Sequence, residues 1–141
     1  MRLLVGVILL SAVNFSNALD LSTNDQSRVC LAEVIYRESR GESFKGKLAV
    51  GQVVLNRVKH SLYPQSICDV VFQKYQFSWT ITFKRFKATK EFYNIADIVI
   101  RGNHELRNFK ATHFHGQSIS PKWKYTLKRV AIIGNHIFYK L

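Results

Sequence analysis

Acid is scarce in this chain: nine Asp and Glu stand against 21 Lys and Arg, a formal net charge of +12 over 141 residues. Such a balance calls for an anionic partner, and charge alone does not choose between nucleic acid and the anionic polymers of a cell envelope. Other common signatures are absent. There is no HExxH and no CxxC, which removes the usual zinc patterns, and no GxSxG, which removes the usual serine-hydrolase elbow. Repeats, low-complexity tracts and linkers are missing too, so the sequence reads as one small domain with room for a real core. Beyond residue 13 every apolar stretch is broken by Lys, Arg or polar residues, so no later segment reads as a membrane span.

The one long apolar run is Leu3 to Val13, behind the positive Arg2 and ahead of the small-x-small triplet Ser16-Asn17-Ala18. It is shorter than the ~20 residues that cross a bilayer and has the layout of an export signal. Residues 1–18 are therefore expected to be a signal peptide and 19–141 the exported, soluble domain. Only two cysteines are present, Cys30 and Cys68. An even pair in an exported protein is expected to form a disulfide, worth ~2–4 kcal/mol, although two buried free thiols would satisfy the pattern as well.

Along the chain, the polar stretch Ser22–Gln26 offers a Thr23-x-x-Gln26 capping box, so a first helix is expected from there to about Arg40, stopped by Gly41. A second spans about Ser43 or Phe44 to Lys59, with Leu48, Gly51, Gln52 and Leu55 on one stripe and small residues Ala49 and Gly51 for close packing. Pro64 suits the first turn of a short third helix with Ile67, Val70 and Val71 facing inward. Residues 73–87 are aromatic and basic, and alternation through Trp79, Ile81 and Phe83 permits a short strand. Such a stretch can stack bases or sugar rings, or belong to the core. A fourth helix covers Lys90 to Arg101, ending at Gly102. Ala111 to His115 alternates like a strand. Ser120-Pro121 is expected to start a fifth helix carrying Trp123, Leu127, Val130 and Ala131, and His136 to Tyr139 a closing strand. The fold class is mostly helical α+β.

With so few acids, each can be weighed. Leu31, Val34, Ile35 and Glu38 follow the i, i+3, i+4, i+7 spacing of one helix face, so a carboxylate occupies a position where the pattern calls for an apolar side chain. A carboxyl held against apolar neighbours loses hydration in its charged form and stays protonated nearer neutrality, as a general acid must. The alternative is a helix-end acid paired with Arg37 or Arg40. Glu33, five positions earlier, points away from Glu38 around the helix, and Asp69, Glu91 and Asp97 lie off the apolar stripes. Glu42 is a fallback acid, with a structural pairing to Arg40 or Lys45 as the plainer reading. One privileged carboxylate does not suit an ordinary glycosidase, which uses two. It suits chemistry in which the substrate supplies its own nucleophile. His113 and His115 are expected to share one side of a sheet; with His104 they could hold a metal, but packing or hydrogen bonding at a cleft edge is the expectation.

The residues Ala32-Glu-Val-Ile-Tyr36-Arg-Glu38-Ser-Arg40-Gly41-Glu42-Ser, Lys45-Gly46-Lys-Leu-Ala49-Val50 and Val53-Val-Leu-Asn56-Arg57-Val58 together resemble the catalytic domain of the SleB-type cell wall hydrolases. That group includes spore cortex-lytic enzymes and exported and phage-borne lysins. The likeness continues through Tyr63-Pro64, Ile67-Cys68-Asp-Val-Val71, Gln76-Phe77-Ser78, Ala111-Thr-His113-Phe-His115, Pro121-x-Trp123 and Ile133-Gly134-Asn135-His136-Ile137-Phe138-Tyr139. The resemblance implies a two-lobed fold like lysozyme-type lytic transglycosylases and resuscitation-promoting factors, with a short antiparallel β element. It implies cleavage of peptidoglycan glycan strands between N-acetylmuramic acid and N-acetylglucosamine, as a lytic transglycosylase or muramidase, with one catalytic glutamate. On the motif Tyr-x-Glu-x-Arg-Gly-Glu that residue is Glu38. Motif position also implies Tyr36, Gln76, Phe77, Ser78, His113 and His115 as substrate-groove residues. A monomer without cofactor, metal or nucleic acid is expected, acting in the periplasm, wall or medium. Many relatives add a wall-binding repeat or longer loop; here the positive charge is the expected substitute. The rival reading is a cationic envelope-binding or membrane-active protein without catalysis.

Overall fold

The computed structural model describes residues 16–141, with side chains from residue 24 onward, so most of the segment read as an export signal lies outside the described residues. The elements are α1 (Ser16–Ser39), α2 (Phe44–Val58), α3 (Ile67–Val71), α4 (Lys90–Arg101), β1 (His113–Gly116), β2 (Lys128–Ile133) and β3 (His136–Lys140). Short 3₁₀ turns lie at Ser78–Thr82 and Lys122–Tyr125. The three strands form one antiparallel sheet in the order β1-β3-β2.

Helix α2 is the spine. Ser43 caps it by accepting from the Gly46 amide at 3.2 Å, and it is buried on two sides. One side joins Leu48 and Val54 to Leu31, Val34 and Ile35 of α1, Val70 and Val71 of α3 and Phe92, Ile95 and Val99 of α4. The other side joins Ala49, Val50 and Val53 to Ala111 and to Phe138 of β3. Gly51 permits this crowding: a Cβ there would sit 3.0 Å from both Ile35 Cδ1 and Val99 Cγ2. The helices thus form one lobe and the sheet a second, with α2 between them.

Four expectations require correction. α1 does not begin at the Thr23–Gln26 box but at Ser16, running straight through the polar stretch. No Gly or Pro occurs between 16 and 39 to interrupt it, so propagation wins over the local cap. Pro64 lies ahead of α3 rather than in its first turn; Ser66 is the cap, accepting from Asp69 N at 3.1 Å. In place of the expected strand through Trp79, Ile81 and Phe83 is the 3₁₀ turn Ser78–Thr82, with Trp79 and the following Phe83 packed against Phe72 at 5.9 and 5.2 Å. The expected fifth helix is a 3₁₀ turn followed by β2. Gly134-Asn135, read as a helix stop, is the two-residue turn of the β2–β3 hairpin, with Gly134 at φ 57°. β2 also carries a bulge between Arg129 and Ala131.

Cys30 and Cys68 are bonded, with Cα atoms 5.3 Å apart, and clip α1 to α3 across a separation of 38 residues. Replacing both by Ala is expected to lower unfolding free energy by ~2–4 kcal/mol, since the open chain regains the loop entropy. Urea midpoints of the oxidised protein and the double variant measure this; equal midpoints would show that the bridge adds nothing.

Candidate active site

Glu38 stands on the last turn of α1, where the helix passes beneath the aromatic segment that follows α3. Its carboxyl is half-buried, and Oε1 accepts from Trp79 Nε1 at 2.9 Å. Burial raises its pKa above the ordinary carboxyl value, opposed by the Trp79 hydrogen bond and by the positive charge of Arg57. Because the indole occupies Oε1, the proton of the neutral acid belongs on Oε2.

Arg57 reaches this point from α2. It is 4% exposed, its Nε donates to the Thr112 carbonyl at 2.7 Å, and its guanidinium lies over the rings of Tyr63 and Phe77 at 5.4 and 5.6 Å. Its Nη1 is buried without a hydrogen-bond partner among the described residues. A buried cationic donor left unsatisfied beside an acid costs stability. The sequence carries a signal for it: Val50, Val53, Val54 and Arg57 are all buried and repeat the spacing that singles out Glu38 on α1.

The sheet supplies the opposite side. His113 and His115 do share one face, both against Trp123, with ring centroids at 5.2 and 5.7 Å. His113 Nε2 meets the Tyr63 hydroxyl at 3.4 Å and Nδ1 the Thr112 hydroxyl at 3.0 Å. Burial, with the Arg57 charge, pushes its pKa down to about 4, so it is a neutral ring near pH 7 and not an acid. His115 Nε2 meets the Tyr139 hydroxyl at 3.0 Å, and its Nδ1 the Gly116 carbonyl at 2.8 Å. Both rings are packed and hydrogen-bonded side chains. No cluster of three or more His, Cys, Asp or Glu able to hold a metal occurs among the described residues.

Of the other expected groove residues, Phe77 joins the site, lying buried against Trp79 and Phe114. Gln76 and Ser78 flank it at the surface. Tyr36 is not in this group: it packs edge-on against Phe92 of α4 at 5.2 Å, with its hydroxyl accepting from Arg40 Nη1 at 3.3 Å. Residues two apart on a helix diverge by roughly 200°, which carries Tyr36 away from Glu38.

Glu42 pairs with neither Arg40 nor Lys45. Its Oε2 accepts from the Asn135 amide at 3.1 Å, tying the β2–β3 turn to the α1–α2 corner, while Lys45 pairs with Glu105 at 3.2 Å. A Cβ on Gly134 would fall 1.8 Å from that Glu42 oxygen. Nor is Glu38 the one acid on a buried face. Glu33 is fully buried, accepting from Arg37 Nε at 2.6 Å and from the amides of Lys87 and Ala88 at 2.7 and 2.9 Å. The i, i+4 spacing of Glu33 and Arg37 was its only sign in the sequence.

Comparison with known proteins bears on the family and the fold. The family model described as Cell Wall Hydrolase matches residues 41–139, beginning three residues after Glu38. The chain is 28% identical over 110 residues to the spore cortex-lytic enzyme of Bacillus cereus and 26% over 108 to that of Bacillus subtilis. It covers 42% and 35% of those proteins, while the aligned parts are 78% and 77% of this chain. The fold is similar to the catalytic domain of the germination-specific lytic transglycosylase SleB from Bacillus anthracis. The TM-score there is 0.72 at 27% identity, covering 82% of this chain and 95% of that one. For the SleB catalytic domain of Bacillus cereus the TM-score is 0.70 at 29% identity, with 82% and 91% covered. The lysozyme-like lobes are therefore the architecture of this chain, and the chain belongs to the Cell Wall Hydrolase family.

Proposed function

We propose that this protein cleaves peptidoglycan glycan strands between N-acetylmuramic acid and N-acetylglucosamine as a lytic transglycosylase, with Glu38 as acid and then base. The observation that carries this reading is the half-buried Glu38 carboxyl, raised in pKa and oriented by Trp79 Nε1. Its Oε2 proton passes to the glycosidic oxygen as the C1–O bond breaks, leaving an oxocarbenium-like C1. The muramyl 6-hydroxyl then bonds to C1 while the Glu38 carboxylate takes its proton. A 1,6-anhydro sugar results and Glu38 is again neutral. Arg57 stabilises the carboxylate formed between the two transfers, a charge that exists only after reaction has begun. One carboxyl suffices because the substrate provides the nucleophile; two would be needed for an ordinary retaining or inverting hydrolase. The name of the Bacillus anthracis relative supports the transglycosylase outcome over the muramidase one. The Cys30–Cys68 bond fits action outside the cytoplasm, with the 1–18 segment as export signal.

Mass analysis of the soluble products tests this. Anhydro-ended muropeptides, a water lighter than reducing ends, are expected; reducing ends alone would make the enzyme a muramidase, and no release of fragments would overturn the assignment. Trp79→Phe sharpens it. The indole N–H favours ionised Glu38, so losing it raises the Glu38 pKa further and moves the alkaline limb of kcat/KM to higher pH. Phe keeps the ring contacts to Phe72, Phe77 and Phe83. An unmoved limb would detach Trp79 from the acid.

A further inference from the structure

Beside Trp79, on the side that Arg37 covers, a cleft of about 560 Å³ is lined by Arg37, Thr82, Lys84, Arg85 and Lys87. No acid lines it. The carboxylate beneath it, Glu33, is fully buried and already bonded to Arg37 Nε and to the amides of Lys87 and Ala88. Lys84, Arg85 and Lys87 are exposed and make no ion pair among the described residues, whereas Arg28, Lys45 and Lys47 are each paired. The cleft is held in place rather than loose. Glu33 pins the backbone at 87 and 88, and Arg37 Nη2 donates to the Arg85 carbonyl at 3.2 Å. Three neighbouring cations without counterions repel one another, and a fixed cleft keeps them together.

We propose that this cleft is a second binding site of the enzyme, receiving the carboxylates of the peptides carried by the glycan strand; the proposal rests on the peptidoglycan reading above. Location selects the ligand. The Arg37 guanidinium lies 5.3 Å over the Trp79 ring, and that same ring donates to Glu38 at 2.9 Å. The cleft is thus one indole away from the catalytic carboxyl. A strand placed with its scissile bond at Glu38 carries its peptide on the lactyl arm of the muramyl sugar. Two extended residues span about 7 Å, enough to bring a peptide carboxylate across the indole. Guanidinium, ammonium and the Thr82 hydroxyl are all donors, which is what a carboxylate accepts. The site would make cleavage selective for muramyl residues that still bear peptide.

The test uses Lys84→Ala/Lys87→Ala, which removes two charges and leaves the backbone pinned by Glu33. Rates are measured on soluble peptide-bearing strands and on the same strands with peptide removed. Sedimentation with insoluble peptidoglycan, peptide-bearing or stripped, reads binding without cleavage. For the variant, kcat/KM on peptide-bearing strands is expected to fall about tenfold through KM, the scale of one or two charge-assisted hydrogen bonds. On stripped strands its rate should match the wild type, and sedimentation should show the same split. A control, Lys59→Ala/Lys110→Ala, removes equal charge elsewhere and should change neither substrate. Equal losses on both substrates, no loss, an equal loss in the control, or a loss seen only on walls that retain phosphate polymers would each overturn the proposal. If the wild type cleaves nothing, the peptidoglycan-cleavage reading fails by itself, and sedimentation still decides whether peptide carboxylates are bound.

Discussion

Glu38→Gln is expected to lower cleavage on the order of 10³-fold, the usual worth of a positioned general acid, while leaving the protein at least as stable at pH 7. Gln keeps an oxygen for Trp79 Nε1 to donate to, so the local geometry survives. The stability half follows from the direction of the pKa shift. A carboxyl whose folded pKa is raised binds its proton more tightly when folded. Its favourable contribution is therefore full below the ordinary carboxyl range and is lost as pH rises through the folded pKa. At neutral pH the wild type bears the desolvation of an ionising group that Gln lacks. Urea midpoints of the two proteins should separate at pH 7, with Gln the more stable, and approach each other near pH 4. A Gln variant that still cleaves fully would remove Glu38 from the mechanism; one less stable at pH 7 would mean that the carboxylate is better solvated than its burial suggests.

Glu33→Ala acts on stability instead, and the expected loss is ~3–5 kcal/mol, that of breaking a buried ion pair by deleting one member. The deletion strands three donors at once: the Arg37 guanidinium, only 20% exposed in its side chain, and the amides of Lys87 and Ala88. Glu33→Gln should cost less, since one oxygen remains to accept. The two variants separate charge from hydrogen bonding by their urea midpoints. Hydrogen exchange adds a local readout, with the amides of Lys87 and Ala88 expected to exchange faster in the Ala variant. Unchanged midpoints would mean that water replaces the carboxylate without penalty.

How much was readable beforehand depended on whether a residue's role was local. α4 is legible to its last residue because Phe92, Ile95, Ala96 and Val99 repeat on one face and Gly102, at φ 66°, ends it. Glu38 is legible because it breaks such a pattern. β2 was not, since Leu127, Val130 and Ala131 follow helical spacing; what decides is β3, pairing Lys128 to Ile133 across a hairpin. Arg57 repeats the spacing that singles out Glu38 and Glu33 shows only its i, i+4 spacing to Arg37, but neither pattern tells what the side chain bonds to. Their partners, the 87–88 amides and the Thr112 carbonyl, are backbone groups 54 or 55 residues away, and backbone groups leave no trace in residue identity. Tyr36 faces Phe92 rather than the Glu38 carboxyl, since a shared motif says that residues go together without saying which face each occupies.

β2 ends the sheet, so among the described residues one row of its backbone groups has no strand beside it. Val130 and Ile132 are exposed along it, the makings of a sticky margin at which two copies of the chain can join. Lys128 and Arg129 at its start and the bulge after Arg129 oppose that joining by charge and by twist. Neutralising this end of the strand to reduce the basicity of the protein would therefore trade solubility for self-association, at a place remote in sequence from Glu38.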